Sequence, residues 1–344
     1  MSHKLTYLVI SLTHRCNSRC QACLEWQMPA PDKNRELSAG QYRQVFQSWK
    51  DTIPYLSFVG GEAFLREDLA EIVITAAKNL HPKNINLATN GLLPEKIVSD
   101  TKTILSKIPF STILTINLSI DGVRHVHDFS RGEKGFFAKL FSTYHGLKPL
   151  QKDFPNLRIA FHSGLSVYNN TRLPALFRLL ESLKPDSYIL EPAADRDELL
   201  EKMRKVQIDA TSWQNIIQKH KKALWDLNGK VSLPYHLARF GYYPFSAEVL
   251  KKFDQVIPCQ AGRKALFIDQ AGNVKACENR PTIAGLPQFK YNLKKIFHSN
   301  TTKAEQQKIA VRECFCHSSY HYYISIESRP WYLVKLLLKM LMDR

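Results

Sequence analysis

No apolar run approaches the roughly 18 residues that a membrane-crossing helix needs, so no part of the 344-residue chain is expected to span a bilayer. The N-terminus, MSHKLTYLVISLTHRC, has a short apolar run but no small-residue cleavage site after it. That run alternates with polar residues and is read as a strand, not a secretion signal, so a cytoplasmic location is expected. There is no low-complexity segment and no internal repeat beyond a strand–helix unit. Acidic residues are the scarcer sign, 31 against 48 Lys and Arg, which leaves a net charge of +17. Such a balance suits an anionic partner: nucleic acid, a membrane surface or a phosphate-bearing substrate. It does not choose among them, a solvated surface would account for it equally well, and no specific nucleic acid is implied. Cysteines number seven, in two groups, 16, 20, 23 and 259, 277, 314, 316. An odd, clustered set without a secretion signal argues against a disulfide framework and fits metal binding better.

What is present points to an α/β protein. Short apolar runs alternate with amphipathic stretches from residue 4 to about 192. Residues 5–12, 55–59, 84–89, 112–120, 157–167 and 187–190 are predicted strands. Residues 38–50, 68–80, 94–108, 132–147 and 171–183 are predicted helices, with Ser38 as an N-cap. Within 68–80, Leu69, Ile72, Val73, Ala76, Ala77 and Leu80 keep the three- and four-residue rhythm of one buried face. Six such repeats imply a parallel sheet with helices outside, open or partly closed into a barrel. The chain divides into a core (1–194), a basic, mainly helical connector (195–256) that turns irregular near Leu233-Pro234 and Tyr243-Pro244, a cysteine-bearing segment (257–317) and a tail (318–344).

The first cysteine group, Cys16, Cys20 and Cys23, lies just after the first strand. Active-site loops of parallel α/β folds occupy that end of the strands. Three thiolates suit an iron–sulfur cluster or zinc, and His14 would complete a zinc set. The Cys-x3-Cys-x2-Cys spacing resembles the signature of the radical S-adenosylmethionine (radical SAM) superfamily. Three further segments resemble that family's motifs in order: Gly60-Gly61-Glu62 after strand two, Asn86–Gly91 ending strand three, and Leu118–Gly122 ending strand four.

The resemblance implies a partial (β/α)6 barrel and a [4Fe–4S] cluster whose open iron binds SAM. It implies that Gly60 and Gly61 admit the SAM amino group close to the backbone, and that Glu62 bonds to it. Ser119 and Asp121 stand where the family contacts the SAM ribose or methionine. Each Gly or Asp-Gly motif is equally a simple turn. Reductive cleavage of SAM to a 5′-deoxyadenosyl radical, fed by a donor such as flavodoxin or ferredoxin, is the implied chemistry. Ala22 and Ala63 depart from the family's usual aromatic residue and proline.

The second group brackets a predicted hairpin, residues 265–269 and 274–276, with Cys259 before it, Cys277 after it, and Cys314 and Cys316 further on. Four thiolates suit a second [4Fe–4S] cluster or zinc, and unligated buried thiols are the plain alternative. The arrangement resembles the auxiliary-cluster extensions of radical SAM enzymes known as twitch and SPASM. The tail ends in WYLVKLLLKMLM (331–342), with Lys335 and Lys339 on one helix face. It suits either a helix packed on the barrel or one lying at an anionic membrane surface. These features suggest a lipid-linked or glycan precursor as substrate, with peptide maturation as the main alternative and RNA or cofactor modification third.

Overall fold

The computed structural model describes residues 4–23, 26, 36–193, 207–329 and 331–334. Six strands run parallel: β1 (Tyr7–Ser11), β2 (Tyr55–Val59), β3 (Asn84–Thr89), β4 (Ile113–Ser119), β5 (Leu157–Leu165) and β6 (Ser187–Pro192). Between and beyond them lie α1 (Ala39–Gln47), α2 (Leu69–Leu80), α3 (Pro94–Leu105), α4 (His125–Arg131), α5 (Phe136–Leu147), the single turn α6 (Leu150–Asp153) and α7 (Leu173–Leu183). The predicted strands are all found, with ends shifted by at most two residues. Ser38 caps α1 through a reciprocal box with Gln41. The helix predicted from residue 132 starts at Phe136, as α5, and α4, which was not predicted, ends before it where Gly132 takes a left-handed conformation (φ 97°).

The connector contributes α8 (Ala210–Asp226) and α9 (Leu233–Lys252). The irregularity expected near both prolines is absent: α9 is one continuous helix. Pro234 lies in its first turn, where no N–H is needed. Pro244 removes one internal hydrogen bond. Burial of Leu237, Ala238, Tyr242, Tyr243 and Val249 on the same helix holds it together.

The cysteine-bearing segment is not a detached module. Its first strand, β7 (Ala265–Ile268), pairs parallel to β1, Tyr7 opposite Ala265 and Ile10 opposite Ile268. The expected hairpin follows with β8 (Asn273–Lys275), and β9 (Thr282–Gly285) adds a further antiparallel strand. One nine-stranded sheet results, ordered β6-β5-β4-β3-β2-β1-β7-β8-β9. Short helices α10 (Leu293–Phe297) and α11 (Asn300–Ala310) lead to α12 (Ser319–Glu327).

The sheet is not closed by hydrogen bonds, and α12 stands across its open side. At one end the Ser319 amide donates to Glu191 on β6. One residue on, the Tyr320 ring stacks on Tyr7 of β1 at 5.4 Å. The tail therefore starts as core, with Tyr322, Tyr323 and Ile326 buried. Of the amphipathic segment, Tyr332 is buried and Trp331 exposed. Lys335 and Lys339 lie outside the described residues, and among those described no helix is long and apolar enough to cross a membrane.

The two faces of the parallel sheet differ. Ile85, Leu87, Leu114, Ile116, Leu118, Leu157, Ile159 and Phe161 are fully buried and join the helices' apolar stripes in one core. The alternate positions form the concave face, and there the side chains are largely polar. Asn86 donates to Ser57 and Asn84 to Thr115, both at 3.0 Å. Ser119 and His162 stand side by side in register. A barrel packed by branched apolar side chains has no such interior, so this lumen is built to hold polar groups.

Candidate active site

The cysteine loop leaves the C-terminal end of β1 and is held from two sides. On one side, Gly61 donates its N–H to the Thr13 carbonyl (2.7 Å), and Glu62 donates to that of Arg15 (2.8 Å). This contact needs glycine. A Cβ on Gly61 would lie 2.3 Å from the Arg15 carbonyl oxygen, and one on Gly60 (φ 138°) would lie 2.5 Å from that of Thr13. The side of these glycines that lacks a Cβ thus faces the chain's own cysteine loop.

On the other side stands the end of α4. The amides of Arg19 and Gln21 donate to the carbonyls of Arg131 and Ser130. Gly132 is again obligatory, since a Cβ there would meet the Arg19 carbonyl oxygen at 2.3 Å.

Polar groups surround the thiols themselves. Ser18 Oγ lies 3.1 Å from Cys20 Sγ and donates to the Arg131 carbonyl. Asn90 Nδ2 lies 3.9 Å from Cys16 Sγ and donates to Asn17. An Arg131 guanidinium nitrogen lies 3.8 Å from Cys20 Sγ. The same guanidinium pairs with Asp121 at 2.7 Å. Burial works against its charge, but Asp121 and Cys20 outweigh burial, and the Arg131 pKa is raised.

Glu62 is buried, and both its carboxylate oxygens are engaged. They accept from Phe64 N–H (3.1 Å), Thr89 Oγ1 (2.9 Å) and Asn90 N–H (2.7 Å). Burial raises its pKa, while the Asn90, Phe64 and Thr89 hydrogen bonds oppose the shift. The carboxylate ties the end of β2 to the end of β3, and through Asn90 to the cysteine loop. Asp121 accepts from Gly164 N–H at 2.9 Å as well as pairing with Arg131. Ser119 ends β4 on the lumen face. Cys16, Cys20, Glu62 and Asp121 are thus linked through Asn90 and Arg131.

Asn90 stands within a motif noted in the sequence. Arg131 was not legible there: it gains its role from the α4 ending, which periodicity did not reveal. A second group missed by sequence starts beside Ser119, at His162. His162 Nε2 is 2.8 Å from Glu191, whose other oxygen accepts the Ser319 amide. Burial alone would raise the Glu191 pKa, but His162 and Ser319 bring it down to about 2.

The four C-terminal cysteines, spread from residue 259 to 316, line one pocket together with Arg280, His321 and Tyr322. Burial raises all four thiols, Cys259 to about 11. Four thiols gathered in one pocket are a donor set that a bound metal would deprotonate and neutralise. The loop of Cys16, Cys20 and Cys23, with guanidinium, hydroxyl and amide groups against its sulfurs, likewise fits an anionic thiolate set.

Comparison with known proteins agrees with this architecture. The family described as the Radical SAM superfamily matches residues 10–144. Fe-coproporphyrin III synthase of Methanosarcina barkeri is 26% identical over 182 residues, 53% of this chain and 42% of that protein. GTP 3',8-cyclase of Pasteurella multocida is 35% identical over 119 residues, 34% of this chain and 33% of that protein. The matched stretch thus covers less than half of each relative. Among solved structures, anSMEcpe with bound AdoMet and Cp18Cys peptide superposes with a TM-score of 0.61 at 14% identity, covering 87% of this chain and 82% of that one. Streptococcus suis SuiB bound to S-adenosylmethionine gives 0.58 at 13% identity, covering 88% and 68%. These structural likenesses show a shared fold. The chain thus carries a radical SAM domain at residues 10–144.

Proposed function

We propose that the chain is a SAM-cleaving enzyme whose Cys16, Cys20 and Cys23 hold a [4Fe–4S] cluster at the mouth of a polar lumen. The observation that carries this is the position of the cysteine loop. It sits at the C-terminal end of β1, clamped between Gly60-Gly61 and the end of α4. Bound there, the cluster and SAM would supply a 5′-deoxyadenosyl radical able to take a hydrogen atom from a C–H bond.

The protein's part is to hold and shield. Arg131 offsets the negative charge that collects on the thiolates, and Asn90 and Ser18 bring further polar groups to their sulfurs. Glu62 fixes the β2 and β3 ends, so the loop keeps one geometry. Ser119 and Asp121 supply polar groups where SAM would lie. Helix α12, set across the open side, restricts water, which would otherwise compete for a reactive intermediate. The electrons would come from a one-electron donor of the flavodoxin or ferredoxin kind.

The C-terminal pocket of Cys259, Cys277, Cys314 and Cys316 would hold an auxiliary [4Fe–4S] cluster. For the substrate, the lumen favours a group rich in hydrogen-bonding atoms, and a peptide fits that description. The fold shared with the peptide-bound anSMEcpe, extending over 87% of this chain, supports it. A lipid-linked or glycan precursor is the second reading. It rests on the net charge of +17.

The test is anaerobic. Reconstituted protein with dithionite should convert SAM to 5′-deoxyadenosine, and Cys20→Ala should abolish the product. Undiminished product from that variant would end the assignment.

A further inference from the structure

His321 lies in the first turns of α12 and forms part of the wall of the C-terminal cysteine pocket. Its side chain is 5% exposed, and neither ring nitrogen has a hydrogen-bond partner. A ring nitrogen of His321, a carboxylate oxygen of Glu278 and Cys277 Sγ all lie within 4.8 Å of one another. Glu278 stands 3.9 Å from His321 Nε2, too far for a hydrogen bond. Its carboxylate instead accepts from the Tyr320 hydroxyl, and Ser318 Oγ donates to it at 3.4 Å.

A buried imidazole with two orphaned nitrogens is costly. Packing alone does not account for it. The His321 ring lies against Tyr320, with centroids 3.9 Å apart. A phenylalanine would fill the same space without leaving polar atoms unpaired. Neutral imidazole always carries one N–H, on one nitrogen or the other. Two acceptors stand near the ring without bonding to it, the Glu278 carboxylate at 3.9 Å and Cys277 Sγ within 4.8 Å of a ring nitrogen; a cluster held at Cys277 would add inorganic sulfide beside it.

We propose that His321 donates a ring N–H to sulfur of the auxiliary centre at Cys277, and so sets that centre's reduction potential. The inference rests on the auxiliary-cluster reading given above. His321 is a positioning residue here: it touches the ligand sphere, not the iron. Hydrogen bonds to cluster sulfurs stabilise the reduced, more negative state and are among the factors that fix potential. Contact with the Tyr320 ring, itself tied to Glu278, holds the imidazole in place. Because α12 also stands across the open side of the sheet, one helix would both line the lumen and tune the centre.

The test uses the full chain with Cys16, Cys20 and Cys23 all changed to Ala, so that only the C-terminal centre can take up iron. Iron content of this protein reports on the auxiliary-cluster reading by itself: no iron sinks that reading, whatever His321 does. With iron present, pulsed EPR of the reduced centre in protein labelled with ¹⁵N-histidine should show a weak nitrogen coupling and an exchangeable proton. Both should vanish in His321→Leu. An EPR-monitored redox titration should place His321→Leu at a more negative potential, with His321→Gln, which keeps an N–H donor, restoring part of the shift. Unchanged potential in both variants, or a strong nitrogen coupling that marks imidazole bound directly to iron, would overturn the proposal. Should His321→Leu fail to hold iron, the wild-type nitrogen and proton couplings decide the matter alone.

Discussion

Gly61→Ala should uncouple the β2 end from the cysteine loop. The new methyl would sit 2.3 Å from the Arg15 carbonyl oxygen, 2.7 Å from its carbon and 2.8 Å from the His14 carbonyl oxygen. All three are backbone atoms, so no side chain can swing aside. Ordinary carbon–oxygen contact begins near about 3.3 Å, so loop and strand must part by roughly 1 Å. The bonds from Gly61 to Thr13 (2.7 Å) and from Glu62 to Arg15 (2.8 Å) would then stretch past useful length. Their loss costs about 0.5–1.5 kcal/mol each, and overpacking adds about 1–3 kcal/mol. A destabilisation of about 2–6 kcal/mol follows from these terms. Gly40→Ala is the control. Its Cβ would meet only Ser38 Oγ at 3.9 Å, inside α1, and alanine there should stabilise by about 0.5–1 kcal/mol. Denaturant unfolding and iron content after anaerobic reconstitution measure both variants. Wild-type stability and iron load in Gly61→Ala would show that the glycine pair does not serve to seat the loop.

Other perturbations probe the neighbouring links. Arg131→Met removes the partner of Asp121 and should cost about 3–5 kcal/mol, as breaking a buried pair does. Adding Asp121→Asn should recover part of the loss, and a double variant no more stable than the single one would argue that the pair is not the source. Glu191 has a folded-state pKa of about 2, below the ordinary glutamate value of about 4.3. Its contribution to stability is therefore present above pH 4.3 or so and is lost as pH falls toward 2. Acid unfolding should be shallower in Glu191→Gln over that window, and an identical profile would refute the linkage.

Much of the fold is legible because each element carries its own local signal. β2 and β3 fall on the residues predicted from alternation and from the Gly-Gly and Asn-Gly endings. The Ser38 cap is written in the Ser and Gln three residues apart. The first cysteine loop could be placed at the end of β1, because the strand before it is written in the sequence. What was not legible depends on distant partners. Helix α9 looks broken at Pro234 and Pro244, and only its burial among other helices sustains it. Strand β7 pairs with β1 across 258 residues, from Tyr7 to Ala265, a relation no local period can encode. Arg131 joins the site because α4 ends against the cysteine loop, and His321 because α12 doubles back on the cysteine pocket. Their types alone, one arginine and one histidine among many, carry no signal.

The placement of β1 between β2 and β7 has a consequence for synthesis. Ribosomes add about 5–20 residues per second. The 258 residues separating Tyr7 from Ala265 therefore take roughly 13–52 s to emerge. Throughout that time β1 has β2 on one flank and nothing on the other, so an apolar edge strand stands open to pairing with a neighbouring chain. The nascent protein is most exposed to aggregation in the interval before its second cysteine segment appears, and shelter by a chaperone during that interval is where its yield would be decided.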